Sequence, residues 1–226
     1  MKTAIFVDGA FFLKRYAYFF PIKSKNPVTT AAELYTMCIK HLSGKNEPSS
    51  DLYRIFYYDC PPLMKKVHLP VSKKCLDFSK TDTAVFKNKF IDELKQKRKV
   101  ALRLGRIQDN NGWVLGADKI KLLLKGDINF DNLCDDDFSY GMRQKQIDMK
   151  IGVDIASLAY KKLVDRIVLI AGDADFVPVA KLARREGIDF ILDPMWKSVP
   201  DDLFEHIDGI RTHCPNMKKK IKEYKP

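Results

Sequence analysis

The chain has 226 residues, 46% of them hydrophobic, and a formal net charge of +11. That is enough apolar material for one sizeable core, or one core with a small insertion. No run of about 18 apolar residues argues for a membrane span, and the five cysteines at 38, 60, 75, 134 and 214 form no C-x-x-C pair or disulfide framework, so a reduced, cytoplasmic setting is expected.

Taken in chain order, "TAIFVD" (3–8) is a short apolar run ending in a carboxylate, which reads as a buried strand. The opening "MKTAIFVDGAFF" lacks the apolar h-region and cleavage site of a signal peptide. A helix is expected at about 30–43, with Thr30 as its cap and Leu34, Cys38 and Leu42 along one stripe. "GKNEPSS" (44–50) reads as a turn, and "DLYRIFYYDC" (51–60) as a second strand stopped by Pro61 and Pro62. Residues 81–98 read as a helix with Phe86, Phe90 and Leu94 at i, i+4 and i+8, and "KVALRLGRI" (99–107) as a third strand. Residues 108–143 have no clear period and are read as a short hairpin or an insertion; within them "CDDDF" (134–138) reads as a solvated acidic loop.

"KQIDMKIGVDIASLAYKKLV" (145–164) is an amphipathic helix, with Ile147, Ile151, Ile155 and Leu158 on one stripe. "RIVLIAG" (166–172) is a fourth strand, strongly buried in pattern. "DFVPVAKLARREG" (175–187) is a helix that Asp175 can cap, with Pro178 in its first turn and Gly187 at its end. "IDFILD" (188–193) is a fifth strand, and 199–208 contains a short helix. Strands alternating with helices argue for an α/β, mostly parallel sheet. The expected organisation is one domain over 1–212, with 108–143 as a candidate insertion and 213–226 as a basic tail.

Positive charge is unevenly spread. Residues 61–106 hold 13 Lys/Arg against 4 Asp/Glu, and "NMKKKIKEYKP" adds five lysines against one glutamate. Such segments suit a polyanion such as nucleic acid or an acidic protein, or are solvated lysine-rich surface. The four histidines show no zinc-ligand spacing.

The carboxylates carry more information. In a doubly wound sheet, ligands sit beyond the carboxyl ends of the strands, where strand order reverses. Strand one ends at Asp8 and strand four ends just before Asp173. Asp148 opens the helix feeding strand four. If strands one and four are neighbours, the three hang over one crevice. Asp154, six residues beyond Asp148, either reaches that crevice or bonds a neighbouring backbone. Asp175 is either a peripheral ligand or an ordinary helix cap. Clustered carboxylates repel unless a cation compensates, and an all-oxygen set selects Mg²⁺ or Mn²⁺ over zinc. An acidic site of this kind beside a basic segment suits phosphodiester hydrolysis.

On these residues the sequence resembles a known family. "IFVDG", "KQIDMKIGVDIASLA" and "LIAGDADFVPVAKLARREG", in that order, are similar to the motifs of the NYN domain, a family of the PIN-like nucleases, and the chain resembles its bacterial branch. The resemblance implies a PIN-like five-stranded sheet of order 3-2-1-4-5 with helices on both faces, and a Mg²⁺/Mn²⁺-dependent ribonuclease acting on single-stranded or structured RNA. It implies central metal-ligand and catalytic roles for Asp8, Asp148 and Asp173 and a peripheral role for Asp175. Asp154 matches a second aspartate of the helix motif, and Lys145 matches a lysine that can steady a phosphate. One position departs: the family's D-G-x-N block reads "DGAFF" here, so Phe11 stands in place of an Asn. Phe11 gives the main support to an alternative, a non-catalytic RNA- or nucleotide-binding module of the same fold. A HAD-type phosphohydrolase would want a second aspartate where Ala10 stands.

Overall fold

The computed structural model describes residues 1–43 and 49–215. Its strands are β1 (Lys2–Asp8), β2 (Asp51–Asp59), β3 (Lys66–His68), β4 (Cys75–Asp77), β5 (Val100–Leu104), β6 (Arg106–Leu115), β7 (Phe138–Lys145), β8 (Arg166–Ile170), β9 (Asp189–Asp193) and β10 (Gly209–Ile210). Its α-helices are α1 (Gly9–Phe19), α2 (Pro27–Lys40), α3 (Asp82–Lys95), α4 (Ala117–Lys125), α5 (Ile147–Tyr160), α6 (Val177–Arg185) and α7 (Asp201–Phe204).

The main sheet has the order β10-β9-β8-β1-β2-β5, all parallel. The five strands expected from the sequence therefore stand in the order 3-2-1-4-5. The correction is a sixth, the two-residue β10, added at the β9 edge; two residues are too few for a periodic signal.

Side-chain alternation along β1 splits the core in two. Ala4 and Phe6 join Phe56, Tyr58 and the buried stripe Ile147, Ile151, Ile155 and Leu158 of α5, together with α6. Ile5 and Val7 join Ile55, Tyr57 and the inward faces of α1, α2 and α3. Helices thus cover both faces, as a parallel sheet requires.

Several local expectations change. The sequence reading assigns no element to residues 9–19, yet α1 lies there, burying Gly9, Phe12, Tyr16 and Phe19 at helical spacing. Its aromatic residues obscure the period because they are apolar on the exposed side too. Asn26, not Thr30, caps α2, accepting from Thr29 N, with Pro27 at the first helical position. The expected third strand divides at Gly105. There a Cβ would meet the Lys145 carbonyl oxygen at 2.6 Å, so the chain passes close to its neighbour and starts a new strand. The expected 199–208 helix is the single turn of α7.

Residues 108–143 fall within a hairpin. β6 and β7 form an antiparallel ribbon, with α4 and two short 3₁₀ turns between its arms. "CDDDF" folds into one of those turns. Asp135 accepts from the backbone N–H groups of Val71 and Ser72, and Asp137 from Cys134 N while pairing with Lys119. The expected 44–50 turn lies mostly, and the basic tail almost wholly, outside the described residues. The first residues assigned to that tail, His213 and Cys214, pack into the body: Cys214 is buried, and the His213 ring stands edge-on to buried His41 with centroids 4.4 Å apart.

Candidate metal centre

Asp8 is the last residue of β1 and the cap of α1. Its carboxylate accepts a 3.1 Å bond from Phe11 N, which anchors the turn out of the sheet. Burial pushes its carboxyl up to about 6, with the charges of Asp148 and Asp59 adding to the rise. Asp148 lies in the first turn of α5. It is exposed by area, yet its carboxyl is also raised, first by partial desolvation and then by the charges of Asp173 and Asp175. Asp8 therefore feels the charge of Asp148, and Asp148 those of Asp173 and Asp175, at the carboxyl edge of the sheet where β1 meets β8. That junction is where strand order reverses.

The pair in "AGDADF" is arranged otherwise than the sequence suggests. Asp173 is the capping residue: its carboxylate accepts from Asp175 N at 3.3 Å, opening a 3₁₀ turn that leads into α6. Asp175 lies inside that turn with its carboxylate exposed. Pro178 and Gly187 keep their expected places at the start and end of α6.

Asp154 projects from α5 to a different set of partners. It accepts from the Tyr58 hydroxyl at 2.7 Å and from Arg103 Nε at 2.9 Å, while Arg103 lies over the Phe56 ring. These bonds tie α5 to β2 and β5. Lys145 ends β7, is exposed, and is joined to α5 by Gln146, whose φ of 74° puts the backbone in the left-handed region. That corner separates Lys145 from Asp148 while keeping them three residues apart in the chain.

Three neighbours of the centre were not singled out in the sequence. Asp59 ends β2 as Asp8 ends β1 and is 1% exposed; Lys87 of α3 pairs with it at 2.7 Å, and Tyr57 and Cys60 N also donate to it. The signal for Asp59 was present, another apolar run closed by a carboxylate. Lys87 had none, because only folding brings α3 over the end of β2. Lys197, from the loop after β9, donates to the Gly172 carbonyl at 2.9 Å, with its ammonium 6.0 Å from the Phe11 ring centroid.

Two glycines are required by close approach. A Cβ on Gly9 would overlap the Tyr57 hydroxyl, and one on Gly172 would lie 2.6 Å from the Phe11 ring. The Phe11 ring thus packs close against Gly172 in the segment that leads to Asp173, in the position where a hydrogen-bonding Asn was expected.

The donor set is all oxygen, which fits a hard divalent cation and not zinc. Among the described residues no three acidic, His or Cys side chains stand close enough together to form a ready-made ligand cluster. The neighbouring carboxylates help to raise Asp8 and Asp148, a repulsion that a cation would offset.

A family model described as the NYN domain matches residues 89–208, a span that includes Asp148, Asp154, Asp173 and Asp175 and leaves out Asp8. No curated protein matches the chain. Among solved structures, a crystal structure of a protein of unknown function from Vibrio parahaemolyticus is similar, with 13% identity and a TM-score of 0.45, covering 94% of this chain and 92% of that one. No described helix is long and apolar enough to cross a membrane.

Proposed function

The chain belongs to the NYN domain family of PIN-like nucleases, and on that premise we propose that it is a Mg²⁺- or Mn²⁺-dependent ribonuclease that hydrolyses phosphodiester bonds. One observation carries the reading. Carboxylates from three separate segments, the end of β1, the start of α5 and the turn after β8, act on one another at the switch point of the sheet, Asp148 on Asp8 and Asp173 on Asp148.

Asp8, Asp148 and Asp173 would hold the cation, with Asp175 at the periphery. When bound, such an ion supplies Lewis acidity toward a phosphoryl oxygen and favours ionisation of water. The protein's own groups do the rest. Lys145 holds a phosphate oxygen of the substrate. The exposed Asp175 carboxylate takes the proton released as water attacks phosphorus and the bond from phosphorus to the 3′ oxygen breaks, that oxygen leaving with a proton from solvent. Lys87 pairs with Asp59, which offsets part of the repulsion that this buried carboxylate exerts on Asp8. Asp154 is a positioning residue: through Tyr58 and Arg103 it fixes the rotation of α5 and hence where Asp148 points.

The test is cleavage of labelled single-stranded RNA with Mn²⁺ or Mg²⁺ by wild type and by Asp8→Asn. Metal-dependent cutting that disappears in the variant supports the proposal. RNA that wild type binds but leaves intact with either ion overturns it in favour of the binding-module alternative.

A further inference from the structure

The ribbon formed by β6 and β7 has two unlike faces. Alternation along β7 puts Tyr140 on one side and Gly141, Arg143 and Lys145 in step on the other. The Tyr140 side is covered. Tyr140 packs against Phe78 and Trp113, the Trp113 indole donates to the His68 carbonyl at 2.8 Å, and Lys65 bridges Asp109 and Tyr140. The β3–β4 hairpin therefore clamps that face. Ile107 is packed against the core below it.

The opposite face carries Arg106, directly across from Lys145, and Gln108, directly across from Arg143. All four are exposed. Arg106, Arg143 and Lys145 make no ion pair and no side-chain hydrogen bond among the described residues. Like charges directly opposite on paired strands destabilise a ribbon. No carboxylate lies opposite these cations to offset it, although the other face supplies Asp109 for Lys65. The foot of this face is Lys145, whose chain turns at Gln146 straight into Asp148.

We propose that Arg106, Arg143 and Lys145 form a track for the sugar–phosphate backbone of a single-stranded RNA, leading the strand along the ribbon to the acidic centre. The proposal rests on the nuclease reading for its choice of RNA. Arg143 and Lys145 are two residues apart on one strand, about 7 Å, a spacing of the order of successive phosphates on an extended strand. Contacts to phosphate carry no base information, so the track grips RNA of any sequence and leaves selection to the crevice.

Binding of a labelled single-stranded oligoribonucleotide is measured with chelator present, across a salt series, for wild type, Arg106→Gln/Arg143→Gln and Lys161→Gln/Lys162→Gln. The last pair removes the same charge beyond the far end of α5. Each lost phosphate contact on a single strand lowers the slope of log affinity against log salt by about 0.7, so the ribbon variant should flatten it by about 1.4 and weaken binding alike for oligomers of different sequence. The control should keep the wild-type slope. Relief of the repulsion between Arg106 and Lys145 means the ribbon variant should melt no lower than wild type. Unchanged affinity and slope in the ribbon variant, or equal losses in both variants, overturn the track. If the ribbon variant alone binds weakly while wild type never cuts RNA, the track stands and the nuclease reading falls. If wild type cuts and the ribbon variant binds as well as it does, the track falls and the nuclease reading stands.

Discussion

Replacing Asp8 by Asn should make the protein more stable while removing its activity. The folded structure pushes the Asp8 carboxyl from its ordinary 3.8 to about 6. The folded protein thus binds this proton more tightly than the unfolded chain does, and stability falls as pH rises from about 4 through 6. At about 1.4 kcal/mol per unit, the ionised carboxylate costs roughly 3 kcal/mol above pH 7. Asn is isosteric, keeps an oxygen for the Phe11 N–H, and carries no charge. In chelator at pH 8, Asp8→Asn should melt higher by roughly 6–12 °C for a chain of this length. The gain should shrink as pH falls and vanish near pH 4. Millimolar Mn²⁺ should raise the melting temperature of wild type and leave the variant where it is, because a cation relieves the repulsion only where the charge exists. Thermal melts monitored by circular dichroism across pH 4–8, with and without metal, test this. A variant no more stable than wild type at pH 8 in chelator, or a difference that does not change with pH, would mean that Asp8 is not held ionised at a cost from burial and neighbouring charge.

Lys87→Met should cost about 3 kcal/mol or more in urea unfolding, because it leaves the buried Asp59 carboxylate unpaired; a cost under about 1 kcal/mol would mean Asp59 does not depend on the pair. Gly9→Ala should destabilise by about 1–3 kcal/mol through overlap with Tyr57, and a neutral substitution would show that the α1 entry shifts freely. Burial depresses His213 from its ordinary 6.5 to about 4, with His41, Arg211 and Lys40 opposing its protonation and Asp193 favouring it. Its contribution is present above pH 6.5 and is lost as pH falls toward 4. His213→Phe should therefore lose less stability than wild type over that interval, and parallel pH profiles would count against it.

Much of this protein is written in local periods. The stripe of α5 and the apolar runs within β1 and β8 specify their elements wherever they sit in space, because burial selects helical spacing in one and continuous apolar stretches in the other. The same runs, closed by carboxylates, mark Asp8 and Asp173 as strand-end residues, and Asp148 is legible as the opening of α5. What a carboxylate does there depends on which groups reach it, and those lie far off in sequence. Asp175 does not cap α6; Asp173 instead caps the 3₁₀ turn before it, because the turn after β8 aims its oxygen at the Asp175 N–H. Asp154 is drawn to Tyr58 and Arg103 because β2 and β5 pass under that side of α5. Asp59 and Lys87 become a buried pair, and Phe11 finds Gly172, only once helices dock on the sheet. The basic character of the middle of the chain was visible from charge alone. The side of the β6–β7 ribbon left for phosphate was decided by tertiary packing, since strand register and the clamp of the β3–β4 hairpin determine which face is covered and which stays in water.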